Sequence, residues 1–266
     1  MQADYARCYR TLWDRHWWWR SREAYLLQWL GRLQRGAGPG RILDVGCGDG
    51  LFFERLEPFG EVDGLEPDAS LLSSDSRWRS RIRVGTLDRQ FDGGGDYDLV
   101  LMLDVLEHIA DDAEALRAAR SALRPGGRLV LTVPALAWLW SQHDVANEHH
   151  RRYDAASLRA VLEASGFEVE SVRYFFFWTV LPLLARRWLA PAQAGAADYA
   201  VPIPPAPVNR ALTLLSRAEQ ALGRFVRWPL GTSLLAVARR PTGVVSDSAS
   251  VIGRFPVARG CSSRRS

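Results

Sequence analysis

Short apolar runs alternate along this chain with stretches of helical character, and that alternation constrains the fold more than any other feature. Residues 42–45, 61–65, 82–87, 97–103 and 128–133 are each of strand length and mostly apolar. A strand that is apolar on both faces, as 97–103 is, belongs inside a parallel sheet covered on both sides. Residues 51–56 and 111–123 read as helices between these strands, and Pro67 and Asp68 open a further one. Residues 167–174 and 233–239 supply a sixth and a seventh strand. The expected fold is therefore a doubly wound α/β architecture, with a mostly parallel, seven-stranded, Rossmann-like sheet.

The first strand runs into the turn Asp44-Val45-Gly46-Cys47-Gly48-Asp49-Gly50. A glycine turn between a strand and a helix presents backbone N–H groups to a ligand. The dinucleotide fingerprint would need glycine at position 51, where this chain has Leu51, so a pyrophosphate ligand is disfavoured. Asp44 suits a cationic amino-acid moiety better than a phosphate. Glu66 ends the second strand 22 residues beyond Asp44, where nucleoside-binding α/β proteins place an acid on the ribose hydroxyls. Either feature alone could be structural. The two together point to a nucleoside joined to an amino acid.

Three segments then identify the family. Residues 42–50, the run Asp104-Val105-Leu106-Glu107-His108, and the run Leu123-Arg124-Pro125-Gly126-Gly127 resemble class I S-adenosylmethionine-dependent methyltransferases, over about residues 14–175. Within that class the chain is similar to a type 11/12-like bacterial subgroup often encoded with cell-surface glycan or secondary-metabolite genes. That subgroup's His-Trp-Trp entry appears as His16-Trp17-Trp18, followed by Arg20 and Arg22, and its His-x-Arg-Arg-Tyr motif as 149–153.

The resemblance implies roles. Asp44, Gly46, Cys47 and Gly48 would line the methionine part of S-adenosylmethionine, and Glu66 would hold its ribose. The end of the third strand, Thr86 and Leu87, would meet the adenine; many relatives have Gly-Asp where this chain has Gly85-Thr86. Leu103 and Asp104 would lie beside the sulfonium. No metal is implied.

The acceptor is sought in the polar connection 138–153, which leaves the carboxyl end of the fifth strand, the edge where open α/β sheets bind ligands. His143 and His149 are the candidate general bases, with Asp144 to orient one of them. Arg151, Arg152 and Tyr153, together with His108, are candidate acceptor-binding residues. Glu107 reads as helix-terminal packing. The alternative is that this cluster only stabilises a loop, with methyl transfer proceeding by positioning alone.

The remaining segments frame this core. Residues 1–38 are helical and rich in tryptophan, and form an N-terminal lid whose helix, 23–33, is mostly core; 39–174 form the donor-binding core. Residues 175–230 contain an apolar run, a Pro/Ala-rich loop and an amphipathic helix at 208–226. They insert as a helical cap before the last strand, or as an interfacial patch facing lipid-linked acceptors. Twelve uncharged residues from 174 to 185, broken by Pro182, are too few to span a bilayer, which needs about 20. Residues 231–240 hold the last strand, and 241–266 read as a disordered tail.

The formal charge of +4 and pI near 9.2 come entirely from arginine, scattered without interleaved aromatics, so no nucleic-acid partner is expected. Cys8, Cys47 and Cys261 lack metal or disulfide spacing. With no export signal apparent, the expected location is the cytoplasm, with peripheral membrane contact open. The expected activity is O-methylation of a sugar, lipid-linked glycan or small metabolite. N- or C-methylation and a non-catalytic partner subunit are the alternatives.

Overall fold

The computed structural model describes residues 10–34, 40–88, 91, 94–189 and 202–243, with side chains from 186 to 189 excepted. The expected tail from 244 onward and the glycine break at 36–39 lie outside the described residues. Seven strands form one sheet in the order β3-β2-β1-β4-β5-β7-β6. They are β1 (Gly40–Val45), β2 (Gly60–Glu66), β3 (Ile82–Val84), β4 (Tyr97–Leu103), β5 (Leu123–Pro134), β6 (Glu168–Phe175) and β7 (Ser233–Arg239). The first five are parallel, whereas β7 runs antiparallel to both β5 and β6. Strand order reverses between β1 and β4, and crevices open at such a reversal, at the carboxyl edge.

The helices are α1 (Trp17–Leu33), α2 (Phe53–Leu56), α3 (Asp112–Ala122), α4 (Gln142–Ala146), α5 (Ala155–Ala164), α6 (Val180–Leu189) and α7 (Ala206–Leu222), and residues 10–15 are also helical. Alternation along the strands fills two core layers. Leu43, Val100, Met102, Leu129 and Leu131 pack with Leu116 and Ala119 of α3 and Leu158 and Leu162 of α5. Ile42, Val62, Leu101, Val130 and Leu235 pack with Trp19, Leu26 and Leu30 of α1.

Several elements differ from those expected. Helix α1 begins six residues earlier, because the His16 side chain accepts a hydrogen bond from Trp18 N and caps it. Its apolar face is core, as expected. The helix after the glycine turn ends at Leu56 as expected but starts two residues late, at Phe53, and is the single turn α2. Between Glu66 and β3 the expected helix is replaced by two 3-10 turns, Ala69–Leu71, capped by Asp68, and Arg79–Arg81. Strand β3 stops at Val84. Strand β5 starts at Leu123 and carries Pro125-Gly126-Gly127 as an irregularity in its pairing with β4, with Gly126 at φ 81°. The connection after β5 contains the helix α4, and the apolar run after β6 contains α6.

Helix α7 packs on α1 in an unusual way: its inward face is polar. Asn209 accepts from Trp17 N at 2.8 Å and donates to Arg15 O at 2.7 Å. Gln220 donates to Ser21 O at 2.8 Å. The buried Glu219 accepts from Phe177 N and Trp178 N, at 3.0 and 3.2 Å, just after Phe176 turns at φ 58°. These bonds fix α7 against the aromatic layer in which Trp18 stacks on Phe176. Glu219→Ala would leave two part-buried N–H groups without their acceptor, so we expect it to cost about 2 kcal/mol. The exposed Leu222→Ser should be near neutral. Urea denaturation of both variants checks this.

Candidate active site

The glycine turn lies over the end of β2 and is held there by its own amides. Gly46 N and Cys47 N both donate to Leu65 O, at 2.7 and 3.4 Å, Gly48 N donates to Glu66 Oε2 at 2.8 Å, and Gly50 N donates to Cys47 O. The expectation that the turn offers its N–H groups to a ligand is therefore corrected at these positions. Without converging amides it is a poor pyrophosphate cradle, which supports disfavouring a dinucleotide on grounds independent of Leu51. The turn needs glycine for its backbone: Gly46, Gly48 and Gly50 have φ of 71°, 53° and 73°. A Cβ on Gly46 would also meet Val105 at 2.6 Å, whereas among the described residues nothing lies within 4 Å of a Cβ on Gly48. The space above Gly48 is open. The Cys47 thiol packs inward on Gly64 of β2, so any ligand contact from this residue comes from its backbone.

Charge beneath the turn is organised around Arg22 of α1. Its guanidinium is buried and bonds Asp104 Oδ2 and Thr132 Oγ1, each at 2.8 Å, while Thr132 donates to Asp104 Oδ1 at 2.8 Å. Asp104 itself turns at φ 57° on leaving β4. Burial pushes the Asp44 carboxyl up to about 7, against the opposing pull of Arg22. Arg22 Nε is buried with no hydrogen-bond partner. The ionised form of this buried acid and an unfinished guanidinium are complementary to the ammonium and carboxylate of an amino acid. Glu66 is buried and accepts from Gly48 N and Asp68 N, leaving lone pairs on both oxygens for hydroxyl donors. Thr86 is exposed and bonds Asp88 at 3.3 Å, and Leu87 is buried in the core. Leu103 ends β4 half-buried next to Asp104.

A second cluster lies further along the same edge. Asp144 is fully buried, caps α4 by accepting from Ser141 N, and takes two bonds from Arg152, to Oδ1 at 2.7 Å and Oδ2 at 3.0 Å. Its Oδ1 also pairs with His149 Nδ1 at 3.0 Å. Burial alone would raise the Asp144 pKa, but the bonds from His149 and Arg152 hold it well below the usual carboxylate range. The His149 ring meets His108 edge to face at 4.7 Å. Glu107 lies beneath them, 1% exposed, its Oε2 without a partner; burial and the nearby Asp104 push its pKa well up. Ligand atoms of Glu107, His108 and His149 lie within 4.8 Å of one another. His143 faces solvent and pairs with Asn147, so of the two expected bases it is His149 that Asp144 orients.

The remaining expected acceptor residues are engaged within the protein. Arg151 bonds Asp112 Oδ2 at 2.8 Å and Ala110 O, and Tyr153 donates to the same Asp112 Oδ2 at 2.8 Å. Arg152 also reaches Ala135 O at 3.1 Å. Together they clasp the 135–153 connection to the start of α3, and His150 N donates to Glu107 O at 2.8 Å to complete the join. Three contributors carry little functional signal in the sequence. Thr132 lies inside an apolar strand and carries no signal. Arg22 was visible only as part of the entry motif, and Glu107 as a helix-end acid.

Comparison with known proteins gives these clusters a family. Residues 18–172 match the family model described as a methyltransferase domain, and the chain belongs to that family. Its fold is that of the class I S-adenosylmethionine-dependent methyltransferases. Over 157 residues it is 31% identical to a ubiquinone biosynthesis O-methyltransferase of Azorhizobium caulinodans, covering 52% of this chain and 62% of that protein. The chain spans less than two thirds of the length of the curated relatives it matches. Among solved structures, a chain of the Haloferax volcanii complex containing the Trm112 methyltransferase activator is similar, at a TM-score of 0.56 and 18% identity. That match covers 90% of this chain and 95% of the other. A geranyl diphosphate methyltransferase in complex with SAM gives a TM-score of 0.53 at 20% identity, covering 82% and 84%. At such identities these two show the shared fold.

Replacing Arg22 with Met would leave Asp44, Asp104 and Glu107 without their buried cation. Removing one partner of such a set costs about 3–5 kcal/mol. Losing the cation raises the folded-state pKa values of Asp44 and Glu107 further, so stability is retained at low pH and lost as pH rises through them. We expect the Arg22→Met deficit in urea denaturation to be smaller at about pH 5 than at about pH 8. An equal deficit at both would show that the loss is one of packing.

Proposed function

We propose that the chain transfers the methyl group of S-adenosylmethionine to a hydroxyl oxygen of a small molecule, with His149 as general base. The observation that carries this reading is the adjacency, on one sheet edge, of a site complementary to an amino acid and the Asp144–His149 pair. Asp44 and Arg22 would bind the donor's ammonium and carboxylate, Glu66 its ribose hydroxyls, and the segment at Thr86 and Leu87 would meet its adenine. Bound there, the donor supplies a methyl group activated by a sulfonium and departs as neutral S-adenosylhomocysteine. Asp104 and Leu103 flank the place of transfer. His149, with Nδ1 directed to Asp144, presents Nε2 to take the hydroxyl proton as the oxygen forms its bond to carbon. Alignment of donor and acceptor supplies much of the rate.

A small hydroxylated acceptor is supported by the relatives' names, which describe O-methylation in ubiquinone biosynthesis. A sugar or glycan acceptor finds no support among them. The chain's own acceptor would approach past His108 and His149. Arg151, Arg152 and Tyr153 shape that wall from behind rather than touching the acceptor.

A second reading replaces the base with a divalent cation on Glu107, His108 and His149, favoured by the partnerless Glu107 Oε2. Dialysis against a chelator separates the two: turnover survives it on the base reading and is lost on the other.

On the base reading, His149→Ala should lower turnover about a hundredfold or more with donor affinity unchanged, and His143→Ala should leave both near wild type. Equal turnover in all three proteins would reject His149 as the base. For the donor site, protonated Asp44 cannot meet an ammonium. Calorimetric affinity for S-adenosylmethionine should therefore fall about tenfold per pH unit below about 7, and Asp44→Asn should abolish that slope. Absence of binding at millimolar donor would reject the methyltransferase reading.

A further inference from the structure

Helix α7 is inverted. Its buried residues are the polar Ser216, Glu219 and Gln220, joined by the half-buried Asn209, Leu212 and Thr213, while Leu214, Leu215 and Leu222 stand 56%, 46% and 55% exposed. Phe225, one turn beyond, is 89% exposed. At 3.6 residues per turn, Leu214, Ala218, Ala221 and Phe225 share the outermost stripe. Arg210, Arg217 and Arg224 follow one border of it, and Arg227 lies at its end, all exposed. Glu219 is the only acid between residues 202 and 243, and it is buried with both oxygens bonded to backbone. The outward face of α7 is therefore apolar along its centre and purely cationic around it.

A protein exposes such a stripe at a cost in solubility that a partner removes. The missing acid selects the partner. A second copy docking by the same face would set four arginines against four arginines with no counter-charge. A bilayer with anionic headgroups supplies both halves of the complement: hydrocarbon for Leu214, Leu222 and Phe225, and phosphates for the arginines. A shallow groove of about 530 Å³ between α1 and α7, walled by Leu27, Gln28, Arg217 and Arg224, lies beside the stripe and could admit a headgroup. Among the described residues no helix is long and apolar enough to cross a membrane, so contact through α7 would be at the interface.

We infer that α7 is a membrane-docking helix that lays its Leu214–Phe225 stripe into the surface of an anionic bilayer. The inference is independent of the reaction proposed above. It is tested with the full chain and sedimented vesicles of phosphatidylcholine, with and without phosphatidylglycerol. Binding should require phosphatidylglycerol and weaken as salt rises. Arg217→Gln with Arg224→Gln should weaken it at least tenfold, since each arginine near an anionic surface contributes about a fivefold factor. Phe225→Ser should weaken it about tenfold. These side chains are exposed, so melting temperatures should not change, and a variant that melts early is replaced by Leu214→Ser. Absence of sedimentation with either vesicle, or equal sedimentation of wild type and variants, overturns the inference. So does a wild-type dimer in size-exclusion chromatography that Phe225→Ser dissociates without any vesicle binding.

Discussion

The bond set from Arg22 to Asp104 and Thr132 ties together parts of the chain that are otherwise far apart in sequence. Arg22 comes from α1, Asp104 directly follows β4, and Thr132 lies near the carboxyl end of β5. A buried guanidinium is tolerated only where acids surround it, and Asp44, Asp104 and Glu107 provide them. The N-terminal helix is thereby positioned against the carboxyl edge, and the aromatic residues ahead of Arg22 are placed beside the strand ends. Trp18 illustrates this: it stacks on Phe176 and lies 5.6 Å beneath the Arg22 guanidinium. The tryptophans of α1 are held beside the strand ends by this buried cation together with the apolar layer of Trp19, Leu26 and Leu30.

The sheet was legible because its signals are local. Apolar runs of strand length, a glycine turn and a strand-end acid each follow from a few neighbouring residues, and the seventh strand's limits were read correctly at 233 and 239. Helix lengths between β1 and β3 were less legible: the first helix starts at Phe53 rather than Leu51, and the turn that Asp68 caps ends at Leu72, which is extended. On the donor side the family resemblance supplies an expected role position by position. The use of the turn's amides could not be assigned, because their acceptors, Leu65 O and Glu66, belong to the next strand.

For the acceptor side, residue type was informative and role was not. His149, Asp144, Arg152 and Tyr153 all lie in the expected connection, yet only their contacts separate the histidine that an acid orients from residues that hold the loop to α3. His143 and His149 look equivalent in sequence; one faces solvent and the other faces His108. Helix α7 reads as amphipathic, but periodicity cannot say which face turns inward. The hydrogen bonds of Asn209, Glu219 and Gln220 decide it.

The unfinished polar atoms around Arg22 have a consequence for the protein's lifetime. With Arg22 Nε and Glu107 Oε2 buried and unmet, the native state carries electrostatic cost that a zwitterionic ligand beneath the turn would relieve. A ligand that binds only the native state stabilises it in proportion to the logarithm of its concentration over Kd. Starvation for that ligand would then enlarge the unfolded fraction exposed to proteases, so cellular abundance of the protein would follow the metabolic supply of its ligand.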